Sequence, residues 1–531
     1  MRLPSTTAGQ HNFARAPQVS VQRSSFDRSY GVKTTFDAGY LIPIFVDEAL
    51  PGDTFNVNMT GFARLATPLT PFFDNLYMDT HFFAVPLRLV WNNFQKFMGE
   101  QDNPGDSISY LVPQMVSTAV TGYLENSIFD YFTLPTKVPG LTHSVLPFRA
   151  YNLCYNQWFR DQNFQNSVVV NKGDGPDLPA DYTLLRRGKR HDYFTSCLPS
   201  PQKGAAVSLP LGTTAPVKSD GNLVYFNQGT NDRNPIMTSG SPTVSWASNP
   251  TATAGVKAGQ VASPATTGYV ADLSTATAAT INQLRQAFQI QKLLERDARG
   301  GSRYVEIIHS HFRVVSADGR LQRPEYLGGG SSPIVVNPIA QTSAAAAQPT
   351  PQGTLTAIGT AVLSNHGFVK SFTEHCIIIG VVSVRADLNY QQGLEKQWSR
   401  STRYDFFWPE LAHIGEQAVL NKEIYAVGTA GVTDDDVFGY QERYAEYRYK
   451  PSVITGNFRS NHTAKLDQWH LAQNFTALPT LNSTFIVENP PVDRVKALAA
   501  DYPDFLFDSW FTMHCARPMP TYSVPGYIDH F

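Results

Sequence analysis

Thirteen histidines and four cysteines are the residues of this 531-residue chain best suited to nucleophilic or metal chemistry, and their spacing gathers few of them. His309 and His311 in EIIHSHF share a face if that segment is a strand, which would start a metal site. No third ligand follows nearby, so a structural or interface role stands beside that reading. Asp434, Asp435 and Asp436 form the densest acidic run, which suits a solvated turn or oxygen ligation of Ca²⁺ between subunits. Cys154 falls between Tyr151 and Tyr155 on an aromatic helical face, where it packs as a small apolar group. The chain lacks G-x-S-x-G, the P-loop, G-x-G-x-x-G and H-E-x-x-H. No catalytic residue and no cofactor are assigned, and structural Ca²⁺ stays open.

Basic residues offer a different chemistry. LLRRGKRHDYF (184–194) packs Arg186, Arg187, Lys189 and Arg190 into five positions. Such a cluster meets phosphate or a partner's acidic patch, or else forms a solvated or carboxylate-pairing turn. Residues 1–35 carry Arg2, Arg15, Arg23, Arg28 and Lys33, opposed only by Asp27, and interleave them with Phe13, Phe26 and Tyr30. Cations for phosphates and rings for unpaired bases are what single-stranded nucleic acid requires, though a solvated terminus fits equally. About four such contacts lose roughly 50-fold in affinity between about 50 and 200 mM salt. One arm alone would bind weakly, whereas many copies on one surface would bind strongly.

The composition agrees with a chain that needs partners. Lys and Arg total 42 against 44 Asp and Glu, so bulk charge does not mark a nucleic-acid or membrane protein. Charged residues are 16 % of the chain, against roughly 25 % in an ordinary soluble protein. Aromatics reach 12 %, enough to bury a sizeable core. Cys154, Cys197, Cys376 and Cys515 lie far apart, which fits a reducing compartment better than a disulfide scaffold. CIIIGVVSV (376–384) is about half the length of a membrane-spanning helix, and residues 1–26 have no apolar core of a secretory signal. No membrane insertion is expected.

The elements that must position these residues are mostly strands. In DTFNVNMTGFARLA (53–66), apolar Phe55, Val57, Met59, Ala63 and Leu65 alternate with polar neighbours, the period of a half-buried strand. LYMDTHFFAVPLRLVW (76–91) is strand-like, with Pro86 marking an edge or bulge. CIIIGVVSVRADL (376–388) reads as a strand buried on both faces. AEYRYK (445–450) alternates, and so does FLFDSWFTMHC (505–515). LPFRAYNLCYNQWFRDQ (146–162) and TINQLRQAFQIQKLLERDARGG (280–301) read as amphipathic helices packed on the sheet. Thr280 and Gln283 form a capping box in the second. Strands at both extremes of the chain, joined by long connections, indicate a mainly β sandwich rather than βαβ units.

Between these elements the composition changes. Forty-eight of residues 201–280 are Ala, Gly, Ser, Thr or Pro and seven are charged, which suggests an insertion with a small structured part. Residues 328–363 look like an extended segment lying over a surface. The Pro- and aromatic-rich 517–531 looks like an extended arm.

LPFRAYNLCYNQWFRDQN (146–163), RRGKRHDYFTSCLPSPQKG (186–204), GSRYVEIIHSHFRVVSADGRLQRPEYLGGGSSP (301–333) and NPIAQTS (337–343) carry a resemblance. In them the chain resembles the major capsid proteins of the small single-stranded DNA bacteriophages of the gokushovirus branch of the microvirus family. The resemblance covers essentially the whole chain. It implies an eight-stranded antiparallel jelly-roll β-sandwich, residues 36–531, assembled from both ends of the chain. It also implies a T=1 icosahedral shell of sixty copies around a circular single-stranded DNA genome. The 201–280 block falls where this branch carries an insertion forming threefold protrusions for host attachment. Other virion and assembly proteins and a bacterial surface receptor would be partners. The virion would be the location, with assembly in the host cytoplasm. The 1–35 arm and the 186–190 cluster would face the DNA.

The competing reading is a β-sandwich carbohydrate-active enzyme or lectin-like module, which needs a concave aromatic groove with convergent carboxylates. A sequence-specific nucleic-acid regulator is disfavoured by the charge balance and by the lack of a reading module.

Overall fold

The computed structural model describes residues 22–207, short stretches between 217 and 271, 281–301, 303–313, 315, 319, 321–343, 351–428, 433–498 and 502–522. The chain forms two compact units, Met1–Pro201 with Gly301–Phe531, and Gln202–Gly300.

The first unit is built on β1 (Ser24–Asp27), β2 (Tyr30–Phe36), β3 (Ile42–Ala49), β4 (Thr54–Leu65), β5 (Leu76–Pro86), β6 (Glu325–Ala340), β7 (Leu355–Ser371), β8 (Cys376–Ala386) and β9 (Phe505–Arg517). β1 and β2 both pair with β9 along one edge, so nine strands occupy eight positions. All these pairings are antiparallel. One layer runs β1/β2–β9–β4–β7, and the other runs β3–β8–β5–β6. The chain thus alternates between the layers from β2 to β5 and again from β7 to β9, the connectivity of a jelly roll. Its core is the alternating set read from the sequence. Phe55, Val57 and Met59 of β4 stand opposite Cys515, Met513 and Phe511 of β9, all buried. Rings cross between the layers, with Phe511 5.3 Å from Phe45 and Phe368 5.5 Å from Phe82.

Residues 328–363 are not a surface segment: they supply the strands that join the layers. β6 pairs with β5 through Ile334 and with β7 from Val335 onward, so one strand belongs to both sheets. Gly328–Gly330 permit the approach. A Cβ on Gly329, whose φ is +154°, would lie 2.0 Å from the Thr80 carbonyl oxygen, and one on Gly330 would lie 2.5 Å from the His366 ring. A bulge in β7 turns His366 into the corner. There its Nδ1 lies 2.8 Å from Thr80 Oγ1 and its Nε2 lies 3.2 Å from Ser332 Oγ.

β8 is buried on both faces, as its continuous apolar run requires. Its outer face packs Ile377 and Ile379 against Trp91, Phe148, Tyr151 and Cys154. The last three lie on α1 (Leu146–Cys154), which continues as a wider π turn to Phe159. Inside this layer Arg149, fully buried, donates to both Asp177 carboxylate oxygens at 2.6 and 2.8 Å and to the carbonyls of Val90 and Gly173.

Other expectations are corrected. Of the 1–35 stretch read as an arm, residues 24–27 and 30–35 lie in the edge strands β1 and β2. Strand β5 ends at Pro86, and Leu87–Val90 is a helical turn. AEYRYK is not a strand: Tyr444 takes a left-handed backbone (φ +63°), and Ala445–Tyr447 then form a 3₁₀ turn. EIIHSHF lies on α3 (Tyr304–Phe312), where residues two apart point about 200° from each other, so His309 and His311 diverge.

The second unit contains short strand pairs, Tyr225–Gln228 with Asp232–Pro235 and Val217–Ser219 with Tyr269–Ala271. It ends in α2 (Ile281–Gly300), on which Ile281 and Phe288 of the apolar stripe are exposed and Leu284 and Leu294 half-buried. Thr280 of the expected capping box lies outside the described residues.

Replacing Gly329 with Ala is expected to cost about 3 kcal/mol or more, because backbone meets the new Cβ from the neighbouring strand. Denaturant unfolding of the variant checks this, and an unchanged midpoint would contradict the close crossing.

Candidate nucleic-acid interface

The sequence offered two basic groups, and the fold treats them differently. Of the arm, Arg2 and Arg15 lie outside the described residues. Arg23 is exposed, with Nη2 3.2 Å from Thr54 Oγ1. Lys33 is exposed on β2 and reaches Asp508 of β9 at 3.1 Å, a surface pair that restrains it weakly. Arg28 sits between β1 and β2 and donates to both oxygens of Asp47 at 2.6 and 3.1 Å.

The 186–190 cluster is turned inward. Main-chain bonds from Leu41 to Leu185, Arg187 to Gly39 and Lys189 to Ile486 thread it between the start of β3 and residues 486–488. The Arg186 guanidinium lies 3.9 Å from the Tyr40 ring centroid and donates to the Glu488 carbonyl and Asn489. Arg187 reaches Asp79 on β5 at 2.7 Å and Ser383 on β8 at 3.1 Å, and Arg385 of β8 binds the same Asp79 oxygen at 2.9 Å. Lys189 is buried 4.5 Å from the Phe485 ring centroid. Arg190 lies over Tyr77, 3.3 Å from Asp387. Arg187 and Arg190 pair with carboxylates, while Arg186 and Lys189 lie against rings.

The electrostatics match an internal clamp. Burial pushes Arg187 down to about 10, with Arg385 adding to the effect and Asp79 opposing it. Burial acts to raise Asp79, but bonds from Ser331 and the two arginines outweigh it and hold the carboxyl below its usual range. Burial pushes Glu488 up to about 7 against the pull of Lys189. Asp79 and Arg385 were missed as site residues. A single acid inside the apolar run LYMDTHFFAVP was the available signal, since a buried carboxylate requires a cation.

Acidic and metal candidates are likewise engaged. Asp434 accepts the amides of Val427 and Gly428 at 3.0 and 2.8 Å, which lowers its pKa. Asp435 pairs with Lys422 at 2.6 Å. Among the described residues no three His, Cys, Asp or Glu come together as a metal site. Cys154, Cys197, Cys376 and Cys515 are buried thiols.

A groove of about 840 Å³ runs over the outer face of the β2–β9–β4 layer. Its lining mixes Phe62 and Leu506 with Lys33, Arg64, Asp130 and Asp508. Lys33 pairs with Asp508, and Asp130 accepts the Asn126 amide at 2.9 Å. This is a surface for contact and lacks the convergent acids of glycoside chemistry.

A jelly-roll wall whose polar groups are used internally is a building element, and comparison with known proteins agrees. Residues 14–527 match the family profile described as Capsid protein (F protein). The chain belongs to this family of phage capsid proteins. It is 52 % identical over 537 aligned residues to Capsid protein VP1 of Bdellovibrio phage phiMH2K, covering 98 % of each chain. Identity to Capsid protein VP1 is 44 % for Chlamydia phage 1 (99 % of this chain, 98 % of the relative) and 37 % for Spiroplasma virus 4 (99 % of each). It is therefore a major capsid protein of gokushovirus-type microviruses, structural rather than enzymatic, and the carbohydrate-enzyme reading is set aside. No helix among the described residues is long and apolar enough to cross a membrane.

In this capsid chain, Arg187→Ala strands Asp79 beside a single remaining arginine. A cost of about 3 kcal/mol is expected, against about 0–1 kcal/mol for Lys33→Ala. Equal losses in urea unfolding would contradict the clamp.

Histidine burial sets a pH dependence. Burial, with Arg187 adding to it, pushes His81 down to about 4. His366, His143 and His470 are also lowered, chiefly by burial. Below about pH 6.5 the unfolded chain protonates these rings before the fold does, so their contribution falls as pH drops from there toward 4. Glu488 acts oppositely, losing stability as pH rises from about 4.5 to 7. His81→Phe is expected to make the acid-side decline shallower than in the parent chain. Unfolding free energies at about pH 7.5, 6 and 5 check this, and an unaltered slope would contradict it.

Proposed function

We propose that the chain builds a T=1 icosahedral shell of sixty copies around a circular single-stranded DNA genome, assembling in the bacterial host cytoplasm with other virion proteins of the phage. The observation that carries this reading is the match to capsid proteins over nearly the whole chain. The two-layer wall supports it, because both sheets share one core and subunit contacts can form on the surrounding loops.

In this reading the inward-facing charge comes from the N-terminal arm. Arg28 and the 186–190 cluster serve the fold, so Arg2, Arg15 and Arg23, with Lys33 beside them, are the cations proposed to meet phosphate. The Gln202–Gly300 unit is proposed as the outward threefold protrusion that contacts a host receptor. Its long, weakly charged insertion, which forms a compact unit of its own, favours that role.

The test measures nuclease-protected DNA in purified particles. Arg2, Arg15 and Arg23 replaced together by Ala are expected to lower DNA retention while the chain still folds and assembles. Parent binding to single-stranded DNA should fall about 20-fold between about 50 and 200 mM salt if three arm charges take part. Full genome content in the triple variant would refute the arm assignment.

A further inference from the structure

Residues 398–408 and 444–449 hold a dense exposed cluster of rings. Trp398 is 72 % exposed, Tyr404 62 %, Phe406 54 %, Phe407 51 %, and Tyr447 and Trp408 are partly open as well. Contacts join all of them but Trp398, which lies two residues before Arg400. Phe407 lies 6.3 Å from Tyr447, the Arg400 guanidinium sits 4.3 Å from the Tyr447 ring and 5.5 Å from Phe406, and Arg403 lies 4.5 Å from Trp408. Arg443 ties Tyr404 to this group through its carbonyl at 2.9 Å. At about 200 Å² per ring, the open part is on the order of 600 Å². A soluble monomer rarely leaves that much apolar area contiguous, and it approaches the roughly 800 Å² that each partner of a stable interface buries.

The charges around the rings decide what fits there. Lys396 pairs with Glu423 at 2.9 Å, Arg400 with Glu446 at 3.7 Å, Lys450 with Glu395 at 3.2 Å, and Arg448 with Glu442. Arg400 on the rings and Lys396, Arg448 and Lys450 around them thus have carboxylate partners in the same region, while Arg403 and Arg443 stack on Trp408 and Tyr444. A surface that stacks bases keeps its cations for phosphate. An aromatic face that carries Arg but little net charge is the make-up of a protein interface core.

We propose that this aromatic face is a contact surface between copies of the chain, packed against a second capsid subunit in the shell. The proposal rests on the capsid reading and adds to it the surface that joins subunits. The second copy is the favoured occupant because the exposed area nearly meets what a stable self-interface needs. It also agrees with a charged fraction of only 16 %, low enough for much of the surface to meet protein.

The test replaces Tyr404 with the photocrosslinking residue p-benzoylphenylalanine and illuminates both DNA-filled and empty particles. Crosslinks joining two full-length capsid chains in both particle types are expected. A crosslink to DNA, a crosslink to a different virion protein, or none at all would overturn the proposal. Parent chains that form no particles would remove the capsid reading itself, which separates the two failures. A second variant, Phe406→Glu with Tyr404→Glu, should fold with unchanged circular dichroism yet lower particle yield about thirty-fold or more. Normal yield from that folded variant would also overturn the proposal.

Discussion

The wall depends on one strand lying in two sheets. Because β6 pairs first with β5 and then with β7, the layers close into a single core instead of sliding as separate sheets. That crossing demands glycine where backbones approach, and it gathers Thr80, Ser332 and a neutral His366 from three strands into one polar knot. Burial keeps the ring uncharged, so the knot sits in the core without an unpaired charge. Connections inserted between strands can then be long without loosening the frame.

Polar groups divide between frame and surface by the same logic. Arg149 with Asp177, and Arg187 and Arg385 with Asp79, tie long connections to the outer side of the second layer. Removing one member of such a set leaves a charge in a dry interior, so these pairs fix geometry more than they add net stability. Cations at 186–190 hold the chain to itself, and so does Arg28 with Asp47.

The legible parts of the sequence were those where a single physical rule dominates. β4 and β9 show clean alternation because one face of each meets the core, and β8 shows none because both faces do. α1 and α2 were legible from their 3.6-residue period, although nothing in that period says whether a stripe will be covered. β6 was hidden because the glycines that permit its crossing are also the residues that suggest a surface loop. AEYRYK alternates as a strand would, but Tyr444 turns the chain before pairing can begin. The basic cluster showed its charges and concealed its partners, since Asp79 and Asp387 arrive from strands more than a hundred residues away. The family was legible in long motifs, where composition alone pointed only to a β-rich chain in need of company.

If this jelly roll is a repeating wall element, intact particles must show it. Electron cryomicroscopy of the purified particle tests it most directly. The account predicts a closed shell of about 25–30 nm in which each asymmetric unit holds one copy of the two-layer sandwich, with β6 crossing between the layers. A chain that stays a lone monomer alongside the phage's other virion proteins, or a shell whose wall is built from a different fold, would contradict it.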